Sequence, residues 1–454
     1  MPITMIKIIR LNCKLKDIKM KIKFLIVPIL ISIALSGCGE SAKNDITQSM
    51  GPNPALPDPV ETMLPTVHVA KAIGWQNDSK PIAVQGTSVN AFATGLEHPR
   101  WLYELPNGDV LVAETNFEKE ELNGSIKGWF TKYFLNKGGA IGKSPDRITL
   151  LRDADGDGTV ETRAAFLEGL HSPFGMALIG DIFYVANADS IVSFPYKSGE
   201  TSIKAAPTKL IDLPGMPLNH HWTKNIIANK DGSKLFVTVG SNSNVAEHGM
   251  EIEQGRAAIW EVDIKAKTHR IFASGLRNPN GLAWNSETKK LWVVVNERDE
   301  IGSDLVPDYL TSVQENGFYG WPYSYYGQHV DQRVKPQNPE LVAKAIVPDY
   351  ALGAHTASLG LADAKGNKLG AQFAQGMFIG QHGSWNRKPY SGYKVIFIPF
   401  AEGKPSGEAI DVLTGFIDEN GDAQGRPVGV LVQKTGNLLV ADDVGDVVWR
   451  ISTQ

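Results

Sequence analysis

A chain of 454 residues, 42% hydrophobic and 21% charged, can bury a sizeable core and is neither disordered nor fibrous. Its net charge of -4 is spread over mixed signs, with no long basic run beyond the N-terminus, so the electrostatic case for nucleic-acid binding is absent. The two cysteines, Cys13 and Cys38, both lie in the first forty residues, so no disulfide framework holds the fold.

At the N-terminus Lys21 and Lys23 precede an apolar run from Phe24 to Leu35, followed by Leu35-Ser36-Gly37-Cys38. The run is too short to span a bilayer comfortably, and the four residues resemble the lipobox of bacterial lipoproteins. Residues 1–37 are therefore expected to be a lipoprotein signal segment, with Met20 a plausible true start and Cys38 the lipidated N-terminus. The competing expectation is an anchored or buried N-terminal helix with an incidental cysteine. Gly39 stands where some lipoproteins carry the aspartate that retains them at the inner membrane. This favours the periplasmic face of the outer membrane, with the lipid as the only membrane contact. Residues 38–66 turn polar and proline-punctuated, as in Gly51-Pro52-Asn53-Pro54, and read as a flexible tether.

From residue 67 to 454 one unit recurs: an approach loop with Gly, Pro or His, a short apolar strand, a turn, then a strongly apolar strand. The second strands are expected at Asp109–Glu114, Ile182–Asn187, Lys234–Gly240, Lys290–Asn296, Gln375–Gly380 and Asn437–Asp442. Turns such as Pro106-Asn107-Gly108-Asp109 and Lys434-Thr435-Gly436-Asn437 supply positive φ cheaply. Six copies predict an all-β, six-bladed propeller with loop and helix insertions. The longest gaps contain Asn116–Pro145 and Glu300–Glu340. In the first, Ile126, Trp129, Phe130, Tyr133 and Phe134 share one helical face and predict an inserted amphipathic helix packed on the propeller. Asp153-Ala154-Asp155-Gly156-Asp157-Gly158 begins like a calcium loop, but its twelfth position is Ala164, which cannot close the site. It reads as an acidic turn between strands.

In a propeller the loops approaching the innermost strands gather around the central channel. Equivalent positions in the six copies hold Arg100, His171, His221, Arg277, His355 and Arg426. A ring of guanidinium and imidazole groups repels itself unless an anion sits among it, and arginines grip a small polycarboxylate with paired hydrogen bonds.

These residues resemble the glucose/sorbosone dehydrogenase family, propeller enzymes that use pyrroloquinoline quinone, and its sorbosone-dehydrogenase-like branch in particular. The resemblance runs from Phe92 to Ile451. It is carried by the run from Gly275 to Trp284, by Asn296-Glu297-Arg298-Asp299, Asp308-Tyr309-Leu310 and Tyr319-Gly320-Trp321-Pro322, and by the run from Gly380 to Arg387. It implies quinone-dependent oxidation of a sugar or sugar aldehyde, with hydride passing to the quinone, calcium as the activating metal and an external electron acceptor. By the same resemblance His221 is the catalytic base, Arg277 the cation beside the reactive carbonyl, Asn278 a cofactor contact and Arg426 a carboxylate ligand. Arg100 and His355 complete the cofactor pocket. The sequence departs from the family at Val428, where a second arginine is expected, and at Pro173-Phe174, where a quinone-contacting glutamine is missing. The cofactor-binding lysine is replaced by His382 or Arg387. Where the family places carbonyls on calcium this chain has Asp299-Glu300, so the ligands are either carboxylates or backbone oxygens.

Two other functions compete. A lactonase propeller needs acidic and amide ligands around one calcium, unlike this basic channel. A non-catalytic anchored propeller, binding glycans or an envelope protein, is permitted by the fold. Retention of His221 together with Arg277 favours the dehydrogenase. No haem-attachment motif is present, so electrons leave to another carrier.

Overall fold

The structure is a computed structural model, and it describes residues 40–61, 66–116, 133–139, 142–215 and 218–454. Six antiparallel sheets follow one another along the chain. Blade 1 holds Pro99–Glu104, Val110–Glu114, Arg147–Arg152 and Thr162–Leu167, and blade 2 holds Met176–Ile179, Ile182–Ala186, Ser190–Pro195 and Thr208–Asp212. Blade 3 holds Ile226–Ala228, Lys234–Val239, Ala258–Asp263 and Thr268–Ser274, and blade 4 holds Asn278–Trp284, Leu291–Asn296, Pro307–Ser312 and Tyr350–Ala354. Blade 5 holds Ser358–Asp363, Gly376–Gln381, Lys394–Ala401 and Ile410–Thr414. Blade 6 holds Pro427–Val432, Leu438–Asp442 and Val447–Thr453, and its outermost strand is the N-terminal Thr87–Ala93. The first part of the chain thus completes the last blade and closes the ring, as a propeller must to protect its sheet edges.

The predicted second strands all form. They are mostly apolar because both faces are covered: every residue of Val110–Glu114 is buried, the terminal Glu114 included. One hydrophobic cluster fills each gap between neighbouring blades. Phe92, Leu102, Val112, Leu439 and Val448 bridge blades 6 and 1, for example, and Leu282, Val293, Phe236 and Ile259 bridge blades 3 and 4. Near the axis the innermost strands come so close that only glycine fits. A Cβ on Gly360 of blade 5 would lie 2.2 Å from the Val428 carbonyl of blade 6.

In each four-stranded meander the loop into the first strand and the loop from the second to the third strand lie at the same end. This end, the channel face, collects the functional side chains. The acidic turn between the outer strands of blade 1 lies at the opposite end. There the carboxylates of Asp153, Asp155, Asp157 and Glu161 gather within 4.8 Å, and Asp153 accepts from the amides of Gly156 and Gly158. It takes no part in the channel.

The expected tether is corrected by the structure. Residues 40–61 lie along the propeller. The Asp304 carboxylate accepts from the amides of Lys43 and Asn44, Ser49 is buried, and Met50–Gly51 pairs with the outer strand of blade 4. Polar, proline-rich composition signals a chain that cannot build its own core, but it does not prevent one from adding to an existing edge. Ile82–Ala83 does the same to blade 5. Of the inserted helix, residues 133–137 are helical, with the Tyr133 and Phe134 rings edge to face. Residues 117–132 of that insertion, and the signal segment with Cys38, lie outside the described residues. Among the described residues no helix is long and apolar enough to cross a membrane.

Candidate active site

The six basic residues occupy the predicted places. Arg277 and Arg426 immediately precede first strands, Arg100 is the second residue of one, and His171, His221 and His355 sit in the loops before the others. Four first strands begin with a break in register, at Pro99/Trp101, Pro279/Leu282, Ser358/Gly360 and Pro427/Val430. Such bulges re-aim side chains, and the one at Pro99/Trp101 skips Arg100 itself. The convergence is direct across the channel: the Arg100 guanidinium of blade 1 lies 5.8 Å from the ring centre of Trp222, the neighbour of His221 in the loop into blade 3.

His221 Nδ1 lies 2.7 Å from the Ser241 carbonyl and 3.0 Å from the Ser241 hydroxyl. A carbonyl only accepts, so Nδ1 carries the proton and the lone pair is on Nε2. Burial, and then the charge of Arg277, hold the imidazole well below its usual pKa, so it is neutral at neutral pH. Backbone packing sets its position, since a Cβ on Gly240 would lie 2.5 Å from the His221 Cβ and 2.7 Å from Asn278 Oδ1.

Arg277 is fully engaged. It donates to the Glu297 carbonyl at 2.7 Å, to Asn244 Oδ1 at 3.0 Å and to Asp299 at 3.0 Å. Asp299 is in turn bound by Asn386 Nδ2 at 2.7 Å and faces His355 Nδ1 at 3.3 Å, while His355 Nε2 lies 2.9 Å from the Gly302 carbonyl. Burial disfavours the charged form of His355, but Asp299 and the Gly302 carbonyl, facing its two nitrogens, together outweigh it and raise its pKa. Burial opposes ionisation of Asp299, yet Arg277 and His355 hold its carboxyl far below the usual range.

A second constellation joins blades 5, 6 and 1. The Asp443 carboxylate meets Arg100, His382 Nε2 at 2.9 Å and His98 Nε2 at 3.5 Å. Burial lowers the pKa of His382 to about 4, so it is neutral and donates to an Asp443 that His382, His98 and Arg100 keep ionised. Arg426 differs from the other two arginines. It is buried, donates to the Gly383 carbonyl at 3.2 Å and the Tyr393 hydroxyl at 2.9 Å, and stands 5.0 Å over the Tyr393 ring. Among the described residues it has no carboxylate partner.

Several expectations are corrected here. Arg387 does not join the cluster: its guanidinium donates to the Pro389 and Asn44 carbonyls and lies 3.6 Å from Asp304, bracing the N-terminal segment. Asp299 and Glu300 do not form a ligand pair. Glu300 has φ 69° and pairs with Arg333 at 3.1 Å, on the outside. The basic ring is also not bare, because Asp299 and Asp443 neutralise much of it from within. Asp443, Ser241 and Asn244 were missed by sequence reading, and Asp299 was assigned to calcium rather than to Arg277, because all four lie in the second-to-third-strand loops. The readable signal was a polar run directly after an apolar second strand, as in Ser241-Asn242-Ser243-Asn244 and Asp442-Asp443.

Comparison with known proteins agrees with this geometry. An uncharacterized protein of Borreliella burgdorferi is 26% identical over 376 residues, covering 77% of this chain and 96% of that one. The pyrroloquinoline quinone-dependent pyranose dehydrogenase of Coprinopsis cinerea is 25% identical over 299 residues, 53% of this chain, which spans 40% of that enzyme's length. The solved holo form of its PQQ domain superposes with a TM-score of 0.67 at 21% identity, covering 85% of this chain and all of that one. The calcium structure of the Trichoderma reesei carbohydrate-active enzyme family AA12 gives 0.67 at 17% identity, over 86% of this chain and 99% of that one. At such identities the superpositions establish the six-bladed fold. The sorbosone branch is not singled out by any of them. Residues 147–317 and 327–454, more than half of the sequence, match the TrAA12-like family, and the chain belongs to it.

Proposed function

We propose that this propeller is a quinone-dependent sugar dehydrogenase, binding pyrroloquinoline quinone in the channel and oxidising a sugar or sugar aldehyde. The carrying observation is the neutral His221, its Nε2 lone pair left free by the Ser241 clamp, in the electrostatic field of a fixed Arg277.

The residues present fit such a cofactor. Arg100 Nε and Arg426 Nε are buried donors, and Asn278 Oδ1 and Asn386 Oδ1 buried acceptors, without a hydrogen-bond partner, a cost of about 1–3 kcal/mol each; ligand carboxylates suit the first two and ligand N–H or O–H groups the other two. Arg426, the arginine with no carboxylate of its own, suits a ligand carboxylate. Calcium, carried by the Trichoderma relative's structure, fits less well at the expected position. Asp299 is committed to Arg277, His355 and Asn386, and Glu300 faces away.

When bound, the quinone supplies the hydride acceptor. The chain supplies the rest. His221 Nε2 takes the proton of the sugar hydroxyl as hydride leaves the same carbon, general-base chemistry worth about 10²–10⁴ in rate. Arg277 places a fixed positive charge where negative charge develops, and Asp299 and Asn244 keep that guanidinium from moving. His355, clamped between Asp299 and Gly302, holds Asp299 in place. The lactonase alternative is disfavoured because the channel carboxylates Asp299 and Asp443 are engaged by basic side chains.

Cys38, by its lipobox, is proposed to carry the lipid that attaches the protein to the periplasmic side of the envelope. An aldose or aldosulose is the proposed substrate, and a separate carrier the electron acceptor. The test is reconstitution: purified protein with pyrroloquinoline quinone and calcium should reduce an artificial dye with at least one sugar. Absence of quinone binding would sink the reading.

A further inference from the structure

The expected tether was to hold the catalytic body away from the bilayer. The structure removes it. Glu40, two residues beyond Cys38, is already fixed: its carboxylate accepts from the Ser303 amide at 2.7 Å, and its carbonyl accepts from the Ser303 and Thr66 hydroxyls at 3.1 and 3.3 Å. The Ala42 amide donates to the Lys388 carbonyl at 2.7 Å, and Lys43, Asn44 and Arg387 converge on Asp304. Residues 303 and 304 belong to the loop between the second and third strands of blade 4, the same loop that carries Asp299 beside Arg277. Two residues of fully extended chain reach roughly 7 Å. A lipid on Cys38 must therefore enter the bilayer beside the channel mouth.

The channel-face loops carry exposed apolar and basic side chains near that point. Trp385, 41% exposed, and the exposed Lys388 lie on the blade 5 loop to which Ala42 is bound, and Lys43 is exposed next to it. Met250 and Tyr133, 45% and 55% exposed, lie on the corresponding channel-face loops of blades 3 and 1. Large apolar side chains on the loops of alternate blades, with lysines near the anchor, suit a headgroup region that takes Trp and Tyr at its boundary and attracts lysine when anionic. A lipid on one residue fixes a point of attachment but not an orientation, and this face supplies the second contact that would set one.

We propose that the channel face of the propeller rests on the lipid bilayer, with Cys38 as its pivot and the Trp385 loop as its second contact. The inference depends on the lipid anchor proposed above and not on the quinone chemistry. Because Cys13 and Cys38 are the chain's only cysteines, a cysteine introduced into the mature protein is a unique labelling site. Lipidated protein carrying Lys388→Cys on the channel face, or Thr435→Cys in the turn at the opposite end, is labelled with a fluorophore and bound to vesicles containing phosphatidylglycerol and a headgroup-region spin-labelled lipid. The expected result is several-fold stronger quenching at residue 388 than at 435. Equal quenching, or the reverse, overturns the orientation. Absence of acyl mass on Cys38 overturns the anchor and the orientation together, while dye reduction by the soluble protein continues to report on the quinone reading separately.

Discussion

The two sides of the channel are built from the same parts and do different things. On the blade 3–4 side the guanidinium of Arg277 makes four hydrogen bonds to protein, its carboxylate partner is held by two further groups, and the neighbouring histidine keeps a free lone pair. On the blade 6–1 side the carboxylate is saturated by Arg100, His382 and His98, while the Arg426 guanidinium meets no carboxylate among the described residues. One side fixes a charge and leaves a base available. The other leaves a charge available and ties up its histidines. A basic residue in the loop before each first strand is therefore not one kind of site, and the loops between second and third strands decide which kind it becomes.

The largest effect expected is at the free base. His221→Asn should lower turnover about 10²–10⁴-fold, the range for removing a general base, with quinone affinity within a small factor of the parent. Steady-state dye reduction beside a quinone titration separates the two, and unchanged turnover would move the base elsewhere. Next comes Asp299→Asn. It leaves the buried Arg277 and His355 without their common partner, and breaking such a pair costs about 3–5 kcal/mol. The melting temperature should fall together with turnover. A variant as stable as the parent would mean that the blade 3–4 side is not held by Asp299.

Arg426→Met tests the other side. Loss of a charge-assisted contact, about 1.5–3 kcal/mol, should weaken quinone binding roughly 10–100-fold and leave turnover at saturating quinone near the parent's. If turnover falls instead and affinity holds, the two sides are not specialised as described.

The fold was legible because each strand states its own environment. A mostly apolar second strand preceded by a polar turn, with glycine in all but the blade 4 copy, is the same signal six times over, and no long-range information is needed to count it. The positions of Arg100, His221, Arg277 and Arg426 followed from that count. Their partners did not. Asp443 looks like the end of a strand, Asp299 like a calcium ligand beside Glu300, and Asn244 like loop; what assigns them is the inward turn of a second ring of loops, a tertiary fact. Arg387 misled for the same reason, since besides the nearby Pro389 carbonyl its partners are Asn44 and Asp304, distant in sequence.

A pH profile sharpens the contrast further. Burial and Arg277 depress the pKa of His221, so protonation disables the base only well below 6.5, and the acid limb of kcat/KM should lie on the acid side of that value. The sign for stability is the same: a histidine depressed on folding contributes stability that is present above its unfolded pKa and lost as pH falls. An acid limb at or above 6.5 would show that Arg277 does not act on the base.

The smallest effect is the most discriminating about calcium. Glu300 is 41% exposed at its side chain and paired only with Arg333, an arrangement worth about 0–1 kcal/mol. Glu300→Gln should therefore change neither melting temperature nor the calcium concentration needed for half-maximal dye reduction. A calcium ligand in the same position would respond differently, because removing a carboxylate from a hard cation weakens its binding directly. Measuring the calcium dependence of Glu300→Gln beside that of Asp299→Asn therefore separates the two neighbours. A shift in the first variant would require the loop from residue 297 to 306 to rotate Glu300 into the channel when metal binds. A shift only in the second would place any carboxylate contribution on the residue that also fixes Arg277. The metal and the arginine would then share one anchor, and the blade 3–4 side would be the channel's electrostatic centre.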